Sequence, residues 1–285
     1  MSHELLLLLQ DIRLSSDILT AVMNVISSPL FHIAVPVAIA AYILWCVDWR
    51  KGEWMLMNIV TGMFFAHLLK DIIKNPRPWE TDSRIEPAEK APDYSTPSGH
   101  TVDSITGYGS LMIMMKKRWS TILLSIMIAA IAFSRLFLGV HTVLDILAGA
   151  VVAVILMITN GILLNVAYEK GRYNTVSVLY ALVLITGLLI WYLVAGPNGQ
   201  IMIYGGLMAG ALIGRQLNHD ILRYEVEDVA SSSKIIRFLI GGIVTALLFL
   251  IPYLLLHNET GAMIGCFACM IGLFCISPAL VEKMR

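Results

Sequence analysis

The chain has 285 residues, of which 58% are hydrophobic and only 14% charged. Soluble globular domains carry about 45–50% apolar and about 25% charged residues, so this composition excludes a soluble protein and indicates an integral membrane protein. The net charge of +0 leaves no global field for nucleic acid or an acidic partner.

A membrane-crossing helix takes about 20 mostly apolar residues. The first apolar run, Leu5–Leu9, is too short and gives way to Gln10, Asp11, Arg13 and Asp17. Its early acid and the lack of a small-residue cleavage site argue against a signal peptide. Leu14, Ile18, Val22 and Ile26 recur at helical spacing, so residues 1–30 are expected as an interfacial amphipathic helix or, equally, as a cap on a bundle. Nine stretches then qualify or nearly qualify as spans: His32–Val47, Trp54–Leu69, Val102–Met115, Ser120–Phe137, Val143–Leu164, Val176–Val194, Ile201–Leu217, Ile235–Leu256 and Ala262–Leu280. The expected fold is an all-α polytopic transmembrane helix bundle of about nine spans.

Short-loop cations set orientation. Arg50-Lys51, Lys116-Lys117-Arg118, Lys170/Arg172, the Arg215–Arg237 stretch and Lys283/Arg285 occupy alternate connections. The intervening Ala195–Gln200 and His257–Gly261 carry no Lys or Arg. This pattern puts the N-terminus outside and the C-terminus inside. The Lys70–His100 loop then falls outside despite its five basic residues, which a phosphate site would account for.

Cys46, Cys266, Cys269 and Cys275 all lie in apolar stretches, and the Cys266-x-x-Cys269 pair reads as helix packing rather than redox or metal chemistry. Residues 171–285 show no polar constellation comparable to that of the first half. Their most polar piece, Arg215–Lys234, with Arg223, Glu225, Glu227, Asp228 and Ser231–Ser233, reads as a solvated loop. Asn258-Glu259-Thr260 matches a glycosylation sequon, a common tripeptide.

The chemistry concentrates in three clusters at span ends, where ionisable groups are costly in lipid. In the first, Lys70 ends a span and Arg77 follows seven residues on, between Pro76 and Pro78 that bend the chain. Arg offers a planar fork for phosphate oxygens and Lys a point charge, so both can converge on one anion. The plainer alternative is snorkelling to headgroups, which is how Lys74 is read. In the second, Pro97-Ser98-Gly99-His100 precedes an apolar stretch. Ser98 is placed to cap that helix, Gly99 lets backbone approach a ligand, and His100 titrates near neutral pH. An ordinary cap-and-turn is the alternative, and Asp103 is read as an orienting group or a second cap acceptor. In the third, Arg135 ends one span, Gly139 gives a turn, and His141 and Asp145 share one helix face. A carboxylate bonded to one ring nitrogen frees the other as nucleophile. A pair that only staples the helix is the alternative. Together the clusters suggest phosphate-ester chemistry with a histidine nucleophile.

These residues resemble the type 2 phosphatidic acid phosphatase superfamily, whose pattern K-x6-R-P, P-S-G-H, S-R-x5-H is met by Lys70…Arg77-Pro78, Pro97–His100 and Ser134-Arg135…His141, with Asp145 four residues later. The resemblance covers roughly residues 50–150. It implies that His141 attacks phosphorus to form a phosphohistidine, that Asp145 supports it, and that His100 protonates the leaving group and then activates water. It implies that Lys70, Arg77, Ser98, the Gly99 amide and Arg135 hold the phosphoryl oxygens, with no metal or other cofactor. It also frames the expected organisation: residues 1–30 an interfacial helix, 31–170 a catalytic phosphatase core, and 171–285 additional transmembrane helices. The common bacterial form has about six spans. This chain departs from it by apparently lacking the usual first span and adding four after the core, which could shape a lipid groove, support a homodimer, or do neither.

The expected function is hydrolysis of a lipid phosphate or diphosphate of the phosphatidate, phosphatidylglycerophosphate, undecaprenyl diphosphate or sphingoid phosphate class. The expected setting is a bacterial cytoplasmic membrane with the site facing the exterior, among membrane lipids. Alternatives are a soluble sugar-phosphate substrate, transfer to another lipid, and, from a different class, a transporter that merely holds phosphate.

Overall fold

The structure, a computed structural model, describes residues 2–226 and 231–282. Every element is helical, and no strand occurs among the described residues. The chain order is α1 (Ser2–Leu14), α2 (Asp17–Ile26), a π-helical turn (Leu30–Ala34), α3 (Val35–Cys46), α4 (Trp49–Ile73), α5 (Pro78–Thr81) and α6 (Gly99–Ser104). A π-helical segment (Ile105–Gly109) joins α6 to α7 (Ser110–Met115), followed by α8 (Arg118–Phe137), α9 (Val143–Glu169), α10 (Tyr173–Ala195) and α11 (Gly199–Leu217). After another π-helical turn (Asn218–Leu222) come α12 (Ser231–Leu256), α13 (Glu259–Ile271), a last π segment (Gly272–Ile276) and α14 (Ser277–Glu282).

Among the described residues seven helical runs are long and apolar enough to cross a membrane: Asp17–Cys46, Trp49–Thr81, Arg118–Phe137, Val143–Glu169, Tyr173–Ala195, Ser233–Leu256 and Glu259–Glu282. Their exposed faces are studded with Leu, Ile and Val, such as Ile155, Ile158 and Ile162 on α9, as a lipid-facing surface requires. Two stretches read from the sequence as spans fall short of this measure. Val102–Met115 lies in a short run that changes hydrogen-bond register at Ile105–Gly109. Ile201–Leu217 lies in α11, a 19-residue helix whose polar ends, Gln200 and Arg215-Gln216, lower its mean hydropathy. The first run is longer than expected, because α2 leads through the turn at Leu30 into α3.

The chain forms two compact units. The first comprises residues up to Val37 and Phe65–Met157. Here Leu9 of α1 and Leu19 and Met23 of α2 pack with Phe137, Leu138 and Val140, so the N-terminal helices rest on the end of α8. A second cluster joins Tyr108, Leu124 and Ile131 to Ile26 and Val35. A third joins Ala66, Val102 and Ala153.

The other unit comprises Ala38–Phe64 and residues from Ile158 onward. Helix α11 meets α13 closely: a Cβ on Gly210 would sit 2.4 Å from the Phe267 carbonyl oxygen. Small residues permit such backbone approach in lipid, where dispersion replaces the hydrophobic drive. This unit holds a polar constellation that the sequence reading did not find. Glu53 and Arg215 form a fully buried ion pair at 2.6 Å. Tyr168 and Tyr173 donate hydroxyl hydrogens to the Glu53 carboxylate. Asn160 donates to Asn58 and Thr61 at 2.9 Å each, and accepts from Tyr180. Arg215 is therefore a core residue of α11 rather than the start of a solvated loop. Glu227, Asp228, Lys283 and Arg285 lie outside the described residues. Cys266 and Cys269 are free thiols on α13. Asn258 uses its side-chain oxygen to cap α13 by accepting from the Gly261 amide.

Candidate active site

All three sequence clusters fall in the first unit. Helix α4 ends at Ile73, Lys74 turns the chain with a left-handed φ of 53°, and Pro76 and Pro78 prevent the helix from resuming before α5. Arg77 is extended just ahead of α5, and its backbone N–H donates to Glu80 Oε2 at 2.7 Å. The bend brings Lys70, in the last turn of α4, and Arg77 onto one carboxylate. Lys70 Nζ stands 3.1 Å from Asp93 Oδ2, and Arg77 Nη2 donates to Asp93 Oδ1. Lys70 and Arg77 are only 2% and 3% exposed.

The Pro97–His100 turn opens α6. Ser98 sits at the cap position, but its side chain makes no capping bond. Its hydroxyl accepts from Thr101 Oγ1 at 3.1 Å, and its amide donates to the Asp145 carbonyl at 3.0 Å. The turn lies so close to α9 that a Cβ on Gly149 would stand 2.8 Å from the Ser98 carbonyl oxygen. At Gly99 a Cβ would meet nothing within 4 Å, so the backbone there borders open space. His100 Nε2 donates to the Ser27 carbonyl at 3.1 Å, and its ring stacks on His32 at 3.9 Å between centroids. Asp103 Oδ2 lies 4.0 Å from His32 Nε2.

Arg135, in the last turn of α8, donates through Nη1 to Ser27 Oγ and through Nη2 to Glu89 Oε1 at 3.1 Å. His141 precedes α9 rather than lying on it. Asp145 belongs to the first turn, where Thr142 and Asp145 form a reciprocal cap. Thr142 N donates to Asp145 Oδ2 at 2.6 Å, and Asp145 N donates to Thr142 Oγ1 at 3.3 Å. The Asp145 carboxylate also accepts from Ser95 Oγ at 2.7 Å and from Thr96 Oγ1. The direct His141–Asp145 bond expected from their spacing is absent, since Nδ1 and Oδ2 are 3.8 Å apart. Ser95 Oγ lies 3.5 Å from that Nδ1 and joins the two.

Donor logic assigns the His141 tautomer. Arg77 Nη1 lies 3.1 Å from His141 Nε2, and a guanidinium can only donate. The same Nη1 lies 3.5 Å from Nδ1, so the lone pair is assigned to the nearer Nε2 and the proton to Nδ1, which stands beside Ser95 and Asp145. Burial, joined by the charges of Lys70, Arg77 and Arg135, pushes the His141 pKa down to about 3 against the pull of Asp145. The imidazole is neutral at physiological pH. His100 is likewise held well below its ordinary value, first by burial and then by Arg135, His32 and His141. Burial opposes ionisation of Asp93, but Lys70 and Arg77 outweigh it and bring its pKa to about 2.

The structure thus gathers Lys70, Arg77, Arg135, His100, His141 and Asp145 in one unit, with Ser98 and Gly99 in the adjoining turn. The reading of sequence missed Asp93, Ser95, Thr96 and Glu89 from the 82–98 loop, and Ser27 and His32 from the N-terminal region. Ser95 and Thr96 abut the Pro97–His100 cluster, a signal that could have marked them. Asp93, Glu89 and Ser27 carry no motif, and only the fold brings them in. His141 is faced by the Arg77 guanidinium, the Ser95 hydroxyl and the Asp145 carboxylate, and His100 by the His32 ring and the Ser27 carbonyl. Among the described residues no three His, Cys, Asp or Glu side chains converge as a metal site would need.

Comparison with known proteins gives the following. A family model described as the PAP2 superfamily matches residues 52–172. Lipid phosphate phosphatase delta of Arabidopsis thaliana is 26% identical over 148 residues, covering 47% of this chain and 34% of that protein. Sphingosine-1-phosphate phosphatase 2 of Mus musculus is 31% identical over 120 residues, covering 40% of this chain and 34% of that protein. An undecaprenyl-diphosphatase of Sulfolobus acidocaldarius is 31% identical over 101 residues, covering 35% of this chain and 48% of that protein. The chain thus spans from about a third to about half the length of these curated relatives. No solved structure gives a significant match.

Proposed function

We propose, from the match of residues 52–172 to the PAP2 superfamily, that this chain is a membrane phosphatase that hydrolyses a lipid phosphate or diphosphate through a phosphohistidine. One observation carries the reading: His141 Nε2 lies 3.1 Å from the Arg77 guanidinium, with Lys70 and Arg135 in the same unit. A lone pair set among cations is the arrangement needed to attack a phosphoryl group whose oxygens those cations hold.

In this reading Lys70, Arg77, Arg135, the Ser98 side chain and the Gly99 amide hold the phosphoryl oxygens. His141 Nε2 forms the N–P bond as the P–O bond to the leaving group breaks. Positive charge gathers on the ring, and its Nδ1 proton is stabilised through Ser95 by Asp145. His100 gives a proton to the leaving oxygen. Burial first and nearby charge second keep His100 neutral at rest, and a bound phosphate dianion offsets the second of these and so raises the pKa of that ring. In the second half His100 takes a proton from water as the water oxygen attacks phosphorus. The N–P bond breaks, phosphate leaves, and His141 is restored. The cations stabilise equatorial charge in both halves.

The named relatives act on lipid phosphates, and the apolar helical runs place this chain in a membrane, so a lipid substrate is favoured over a sugar phosphate. The charge-bearing loops support a nine-span arrangement with the N-terminus outside, the C-terminus inside and the site at the outer leaflet of a bacterial cytoplasmic membrane. In that arrangement α6–α7 and α11 complete the count.

The test is phosphate release by the purified full chain against phosphatidate, phosphatidylglycerophosphate, undecaprenyl diphosphate, sphingosine phosphate and glucose 6-phosphate. His141→Ala should abolish turnover, and turnover should survive EDTA. Substantial activity in the variant, or a loss restored by magnesium, would overturn the mechanism. Turnover of glucose 6-phosphate alone would move the substrate to the soluble class, and phosphorylated acceptor in place of free phosphate would make the chain a transferase.

A further inference from the structure

We propose that Asp93 is a specificity-determining residue of this site, its carboxylate standing on Lys70 and Arg77 where a substrate phosphoryl group must bind, so that a dianionic terminal phosphate displaces it and a monoanionic diester does not. The inference rests on the phosphatase reading above and adds a basis for choosing among phosphates.

Lys70 and Arg77 are already saturated by protein. Every nitrogen of the Arg77 guanidinium is bonded: Nε donates to the Asp93 carbonyl at 2.9 Å, Nη1 to the Val140 carbonyl at 2.8 Å and toward His141, and Nη2 to the Asp93 carboxylate. Lys70 Nζ faces the Asp93 carboxylate at 3.1 Å and donates to the Tyr94 carbonyl at 2.5 Å and the Ser95 carbonyl at 3.5 Å. Glu89, on the same loop, bonds the third cation, Arg135, at 3.1 Å. A phosphoryl group can gain Lys70 and Arg77 only by exchange, and the movable anion among their partners is Asp93.

The loop is built for such an exchange. Its first part is tied down: Gln10 Nε2 donates to the Arg84 carbonyl at 3.0 Å, Glu86 N to Gln10 Oε1 at 2.7 Å, and Ala88 N to the Leu138 carbonyl at 2.9 Å. Its far end is tied where Ser95 N donates to the Asn75 carbonyl at 2.8 Å. Between these anchors Glu89, Lys90 and Pro92 are exposed. The Asp93 side chain is itself 14% exposed, against 2% and 3% for its cationic partners, so it sits on the solvent side of them.

Charge then decides what enters. A monoanion replacing the carboxylate leaves the net charge on Lys70 and Arg77 unchanged and forfeits the advantage of a tethered partner. A dianion places a second negative charge between two buried cations, where the interaction is only weakly screened. A site at a bilayer surface is surrounded by diester headgroups, so discrimination by an incumbent anion is an effective means of rejecting the wrong ligand.

The experiment is calorimetric binding of methyl phosphate and dimethyl phosphate to the detergent-solubilised full chain at pH 8, above the second phosphate pKa of about 6. The wild type should bind methyl phosphate and discriminate strongly against dimethyl phosphate. In Asp93→Asn both ligands should bind about tenfold or more tighter, so that dimethyl phosphate, excluded from the wild type, becomes a detectable ligand. Asp93→Ser removes the same charge and should have the same effect, and it decides the matter should Asp93→Asn fail to fold. Parallel weakening of both ligands in these variants would make the acid a mere prop for the cations and overturn the proposal alone. Failure of the wild type to bind methyl phosphate would overturn the phosphatase reading with it.

Discussion

Ser95 stands between His141 and Asp145: its hydroxyl donates to Asp145 Oδ2 at 2.7 Å and lies 3.5 Å from His141 Nδ1, while the two outer residues are 3.8 Å apart. The carboxylate therefore orients the imidazole through an intermediary. Its remaining bonds go to Thr96 and Thr142, which hold the entry to α9 in place.

Ser95→Ala should consequently lower kcat about 10-fold to 100-fold while leaving KM nearly unchanged, because the imidazole loses orientation and the phosphate-binding cations remain. Steady-state kinetics on the preferred substrate check this. Unchanged kcat would mean that His141 needs no support from this side.

His100→Ala should separate the two chemical halves. Attack by His141 still occurs on a substrate with a good leaving group, but water is no longer activated. A labelled phosphoenzyme, stable to base and labile to acid, should then accumulate in His100→Ala and be missing from His141→Ala. Substrate consumption by His100→Ala without labelled protein would argue against a covalent intermediate.

Stability should fall on acidification. The folded His141 pKa of about 3 lies below its ordinary 6.5, so between those values the unfolded chain binds the extra proton. Stability is then greatest above pH 6.5 and is lost as pH falls, by on the order of 2 kcal/mol at pH 5 for this one group. Asp93, with a pKa of about 2 against 3.8, contributes stability above pH 4 that disappears only below it. Melting in detergent at pH 7.5 and pH 5 should show a drop for the wild type and a smaller one for His141→Gln. Equal drops would assign the acid sensitivity elsewhere.

The Glu53–Arg215 pair should be intolerant of single removal. Both side chains are fully buried, so Glu53→Gln or Arg215→Met leaves one charge uncompensated in a low-dielectric interior, at a cost on the order of 3–5 kcal/mol. The double substitution Glu53→Leu with Arg215→Met should recover most of that loss. A double variant as unstable as either single one would show that Tyr168, Tyr173 and the carboxylate form the indispensable part.

The sequence by itself determined the helical membrane class, because long continuous apolar runs fit helices that satisfy their own backbone in lipid and lack the alternation of barrel strands. It also determined which residue types gather at the span ends, since Lys70, Arg77, Ser98, Gly99, His100, Arg135, His141 and Asp145 are marked by prolines, glycines and short spacings that act locally. Tertiary structure alone decided their partners. His141 and Asp145 are four residues apart and invite a direct bond, yet the cap formed with Thr142 turns the carboxylate away and lets Ser95 in from a distant loop. Asp93, Glu89 and Ser27 reach the cations through chain reversals that leave no periodic or compositional trace. Arg215, which reads as a loop cation, is buried because Glu53, 162 positions away, meets it inside a helical unit. Local sequence signals helix, turn and charge, whereas which buried charge neutralises which is a property of packing, where desolvation forces each one to find a partner.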